Sequence, residues 1–207
     1  MATPYYTKQP VYLEEPSGRY GNILTNKNAS IGPAGRYGNT STRLNFPFTP
    51  TISVIQSTNY NQYDLSHTNF QQRAFDSHTN MELNITAPMI VRSTEEAEYV
   101  YKAALWLRST MKMSWASDDK PGMPPPILRF SSYNLYKNVP CVIRDFTWNL
   151  DSDIDYVEAN IDGDPIRVPV TNNFVLSLST TYSPKDVRDN FSVKEYLKGN
   201  LKDKGYV

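Results

Sequence analysis

Pro124, Pro125 and Pro126 separate a stretch with helical periodicity from one with strand periodicity, and no other feature limits the possible folds so sharply. Proline fixes φ, removes a backbone donor and pushes the preceding residue out of the helical region. A helix must therefore end before this point, and the chain must leave it extended. Upstream, residues 93–113 carry Ala97, Val100, Tyr101, Ala104, Leu105 and Met111 at three- and four-residue spacing, widened by Trp106 and Leu107. That pattern predicts an amphipathic helix lying on a sheet, its aromatic stripe serving as core packing. Ser93 with Glu96 three residues later predicts a capping box, and Glu95, Glu96 and Glu98 place negative charge at the positive end of the helix dipole. Downstream, Ile127, Leu128 and Phe130 predict a short strand, residues 133–138 a turn, and residues 139–150 a longer strand.

Strand periodicity recurs on both sides of this segment. Residues 81–87 place Met81, Leu83, Ile85 and Ala87 on one face and Glu82, Asn84 and Thr86 on the other, as in an antiparallel strand with one wet side. Residues 51–58 are β-branched and alternate, which suits a half-buried strand. Residues 153–159 and 165–181 predict a hairpin turning at Asp162-Gly163-Asp164, and Phe174, Leu176 and Leu178 alternate with Val175, Ser177 and Ser179. The fold class is α+β, mainly β. Residues 48–185 form the folded domain and residues 186–207 a C-terminal tail or short helix.

Two segments break the pattern. Residues 59–80 are polar and too long for a plain connection, with a possible short strand near 70–75; they predict an extended arm or hairpin that touches a neighbour through Tyr60, Tyr63, His67 and Phe70. Residues 1–47 show no sustained period and read as an extended N-terminal arm without a core of its own, so that deleting residues 1–45 should leave the fold intact. The arm repeats a short phrase, Gly18-Arg19-Tyr20-Gly21-Asn22 and Gly35-Arg36-Tyr37-Gly38-Asn39. Arg19, Tyr20, Arg36 and Tyr37 are candidate partner-binding anchors, because Arg and Tyr carry much of the energy at interfaces. The plain alternative is a pair of similar turns.

Composition narrows the function classes. The 207 residues hold 21 Lys and Arg against 21 Asp and Glu, so the whole chain has no electrostatic bias toward nucleic acid, anionic membrane or acidic substrates. Fifteen tyrosines and fifteen prolines fit a strand-rich protein with long ordered loops and tyrosine-bearing interfaces. The single cysteine, Cys141, alternates with Val139 and Ile143 and reads as a small buried apolar residue; it points to folding in a reducing cytoplasm. No run approaches a membrane span. Asp151, Asp153, Asp155 and Asp162 suggest a calcium loop, but the positions that need glycine and a bidentate glutamate hold Tyr156 and Asp162. No metal, no cofactor and no catalytic residue is expected: His67 and His78 lie in polar surroundings, and no glycine-rich phosphate cradle or paired cysteines occur.

The helix at 93–113, the Pro124-Pro125-Pro126-Ile127-Leu128 strand entry, the Asn138-Val139-Pro140 strand and the closing strand before Tyr182-Ser183-Pro184 together resemble the tail-tube module of contractile-tailed bacteriophages, over about residues 48–185. The nearest likeness is to the baseplate proteins that cap or initiate the tube. The resemblance implies a twisted antiparallel β-sandwich or half-barrel with one helix packed on it. It further implies a non-enzymatic structural protein of the virion, assembled in the host cytoplasm. Six copies would form a ring at the baseplate–tube junction that templates the tube and lets genomic DNA pass. Its partners would be other copies of itself and other baseplate, tube or sheath proteins, with no membrane. An arm at the N-terminus departs from the repeating tube subunit and favours a junction role. A different reading is a nucleic-acid-binding module that uses the Arg- and Tyr-bearing arm.

Overall fold

The computed structural model describes residues 11–16, 30–31, 37–38, 43–115, 121–161 and 163–206. In chain order it contains strands β1 (Tyr12–Glu14), β2 (Ser30–Ile31), β3 (Tyr37–Gly38), β4 (Arg43–Asn45), β5 (Thr51–Ile55), β6 (Thr58–Tyr63), β7 (Gln72–His78) and β8 (Glu82–Ile90). Helix α1 (Thr94–Thr110) follows, then β9 (Leu128–Ser132), β10 (Tyr136–Trp148), β11 (Tyr156–Ile161), β12 (Asp164–Pro169) and β13 (Thr171–Thr180). Helices α2 (Pro184–Asn190) and α3 (Val193–Leu197) and a 3-10 turn at Lys202–Lys204 close the chain.

Seven strands form one sheet in the order β4-β1-β9-β10-β13-β8-β5, antiparallel at every step. Its core rows follow from the alternation: Leu13 lies between Leu44 and Phe130, Phe174 between Ala87 and Trp148, and Leu176 between Ile85 and Phe146. A strict period of two running on from Cys141 and Ile143 would turn Asp145 inward. Instead β10 takes an extra residue at Arg144, the register shifts, and Ile143, Phe146 and Trp148 all pack on the core. The bulged Arg144 reaches across to Glu82 on the other face. Between β9 and β10, Tyr133 and Asn134 both take positive φ and Leu135 N–H donates to Ser132 O at 2.8 Å, a tight turn whose twist suits a hairpin, inside a three-residue connection.

The layer over the sheet consists of α1 and the β11–β12 hairpin, whose Ala159 and Val168 are buried beside the helix. The cap forms as expected at Ser93, whose Oγ accepts Glu96 N–H at 3.3 Å; the returning half goes to Arg92 N–H, which Glu96 Oε2 accepts at 2.7 Å. The helix stops at Thr110, short of residue 113. Of the expected stripe, Ala97, Val100, Ala104, Trp106 and Leu107 are enclosed as predicted, whereas Tyr101, Leu105 and Met111 are only half-buried and Tyr99 and Ala103 are enclosed instead. At about 100° per residue the enclosed positions span about half the circumference. Sheet and hairpin cover adjoining sides, so a stripe sized for one sheet is too narrow.

Three further expectations are corrected. Within the expected arm of residues 1–47, the described residues 11–16 and 43–47 do not lie outside the core: β1 is the second strand of the sheet, β4 its edge, and Val11, Leu13, Leu44 and Phe46 are buried. Tyr99 Oη also donates to Asn45 O at 2.7 Å, tying the helix to that edge. Strand β5 is not half-buried; it is the opposite edge, and only Ile52 packs on the core. Residues 165–181 divide into β12 and β13, joined by a turn that Asn172 organises. Its Nδ2 donates to Pro169 O at 2.6 Å, and its Oδ1 accepts from Trp148 Nε1 at 2.8 Å. Among the described residues no helix is long and apolar enough to cross a membrane.

Candidate interaction surface

Strands β5 and β8 pair within the sheet, and the chain between them continues outward as a second antiparallel pair, β6 with β7. Ser57 and Thr79 clasp the root. Thr79 N–H donates to Ser57 O at 2.9 Å, Ser57 N–H donates to Thr79 Oγ1 at 3.2 Å, and the two hydroxyls lie 2.8 Å apart. Beyond the clasp the ladder runs from Thr58 opposite His78 to Tyr63 opposite Gln72, with an extra residue in β7 between Ser77 and Phe75. The expected strand near 70–75 is therefore β7, displaced toward His78. Every residue from 53 to 78 is exposed, so this is an arm with two wet faces.

The arm nevertheless carries apolar surface. Tyr60 and Phe75 are cross-strand partners on one face and meet edge to face, with ring centroids 6.1 Å apart. Tyr63 lies on the opposite face, opposite Gln72. His67 holds positive φ in the tip, and Phe70, 82% exposed, is the most exposed large apolar side chain among the described residues. Of the candidate anchors, Tyr60, Tyr63, His67 and Phe70 thus share one protrusion but not one face. Arg19, Tyr20 and Arg36 lie outside the described residues, as does Asp162 of the acidic series. Tyr37 is described only as part of the two-stranded pair β2–β3.

A second surface lies at the arm's root, and sequence reading did not find it. Helices α2 and α3 bury none of their residues, leaving Val187, Phe191, Val193, Tyr196 and Leu197 exposed. A groove of about 390 Å³ opens between them and the root, lined by His78, Met81, Tyr182, Val187, Phe191 and Tyr206 among others. Its wall is the C-terminal segment. Tyr206 stacks on Tyr182 at 5.0 Å, Tyr182 Oη donates to Gly205 O at 2.9 Å, and Lys137 pairs with Asp203 at 2.8 Å. The hydrogen bond from Lys137 and its charge hold the exposed Asp203 carboxyl below its ordinary range.

Cys141 is enclosed in the core, where burial pushes its thiol up to about 12, which keeps it out of nucleophilic work at neutral pH. His78 Nδ1 lies 3.1 Å from Thr58 Oγ1 on the open face of the arm. Among protein-family models none matches this chain, and a search of curated proteins returns no match.

Proposed function

We propose that this chain is a structural subunit of a contractile bacteriophage tail, closing with further copies into a ring at the junction of baseplate and tube. The observation that carries this reading is the arm of residues 58–78, a two-stranded extension of a sheet edge that no other described residue covers. Isolated two-stranded hairpins are at best marginally stable in water, and exposed edges invite further strands. An arm so built gains its cover from a neighbour. A head-to-tail contact repeated by rotation closes a ring, and the resemblance to tail-tube proteins implies six copies around a channel for the DNA. In this reading the sandwich or half-barrel of the tail-tube type is the shape the sheet takes within the ring, and function is geometry: a platform on which tube subunits add.

Templating is directly measurable. Tube subunits from the same particle are mixed with substoichiometric amounts of this protein, and polymerisation is followed by light scattering and electron microscopy. The expected result is a shortened lag, with this protein at one end of each tube. An unchanged lag and unlabelled tube ends would contradict the reading.

A further inference from the structure

We propose that the groove at the arm's root receives the arm tip of a second copy of this chain, with Phe70 as the inserted side chain. The inference rests on the ring reading above and names the two surfaces that meet. Tip and groove match in charge. Residues 65–70 read Leu-Ser-His-Thr-Asn-Phe, and no Asp, Glu, Lys or Arg lines the groove, in a chain that is 20% charged. Both surfaces expose apolar groups: Phe70 at 82% and Leu65 at 55% on the tip, and in the groove Val187 at 39% and Phe191 at 40%, the latter resting against Tyr196 and Tyr206 on one side only. A desolvated aromatic seated in a pocket is the usual anchor of an interface.

The occupant cannot be the chain's own tip. Strand β6 is paired with β7 along its six residues, which at about 3.3 Å per residue keeps the tip about 20 Å from the root where the groove opens. Size agrees with a second copy: the exposed arm beyond the root, residues 58–78, falls within the range of about 20–30 residues that one side of a standard interface uses. Because tip and groove are different patches of one chain, the contact is head-to-tail, the kind that propagates around a ring.

The test uses the full chain. Self-association is measured by sedimentation for the wild type, Phe70→Asp and Val187→Lys, all changed at exposed positions. In parallel, Phe70→Cys and Val187→Cys chains are treated with a short bismaleimide, separately and mixed. Cys141 is buried and does not compete for the reagent. The expected result is association of the wild type, weakening of about 30-fold in each charged variant, and cross-linked dimers in the mixture alone. Association that neither variant weakens, without mixed cross-links, overturns the groove assignment while the ring reading stands. A wild type that stays monomeric at every concentration overturns both.

Discussion

Cys141 lies between Leu128 and Thr180 in the middle of the sheet, where an ionised thiolate would have neither water nor a partner. Its folded thiol is pushed up to about 12, whereas an unfolded cysteine ionises near 8.5. Because the folded value is the higher one, the associated stability is fully present below the unfolded value and is lost as pH rises toward about 12. The difference in urea midpoint between wild type and Cys141→Ala should be constant below pH 8 and drift in favour of the alanine variant above pH 9. A pH-independent difference would contradict the burial. Gly205 is the second decisive residue: it has φ of +80°, and a Cβ there would meet Asn138 O at 2.5 Å. Gly205→Ala should cost about 1–3 kcal/mol and expose the C-terminal segment to protease, since backbone and neighbour both resist the methyl group. Unchanged stability and proteolysis would show that the segment is not fastened there. Residue patterns were legible where burial is one-sided: Met81 to Ala87 alternates as the structure does, whereas the bulge at Arg144 breaks the alternation of β10 and was not foreseen. The stack of Tyr206 on Tyr182 joins two stretches of sequence that carry no common pattern.

At the scale of elements, legibility follows length. Helix α1 and strands β8 and β13 are long enough for a period to be seen, and each lies close to its expected place. Strands β1 and β4 have three residues apiece, too few to show a period among glycines and prolines, and so their part in the core was missed. That correction reverses the truncation expected from sequence. Removing residues 1–46 takes away Val11, Leu13, Leu44 and Phe46, and core truncations at single large residues already cost about 2–5 kcal/mol each. Against a total stability of about 5–15 kcal/mol, the shortened chain should lack a cooperative thermal transition. A transition at the wild-type temperature would return residues 1–46 to the status of an arm. The β6–β7 arm was foreseen as a hairpin because of its length, but not its full exposure, since a strand with two wet faces has no alternation to read.

On the scale of the whole molecule, the groove draws on residues near 56, 78–81 and 180–206, brought together by the pairing of β13 with β8 and the return of the C-terminus onto β10. Sequence order does not encode that juxtaposition in any local pattern. It follows from strand order, which becomes visible only when the sheet is assembled. The covering layer is similar in kind: a helix and an inserted hairpin share the task, and the hairpin's Ala159 and Val168 are too small and too few to announce it. What emerges is a chain with a protruding uncharged tip, an uncharged groove and an open sheet edge, the three surfaces that the proposed ring would use. The most direct test is the copy number of this chain in purified particles separated into virions, tails and baseplates, counted by mass spectrometry against a capsid standard. The account predicts about six copies per tail, retained in the baseplate fraction, the number of one six-fold ring of the proposed kind. Many tens of copies distributed along the tube, or none in any fraction, would contradict it.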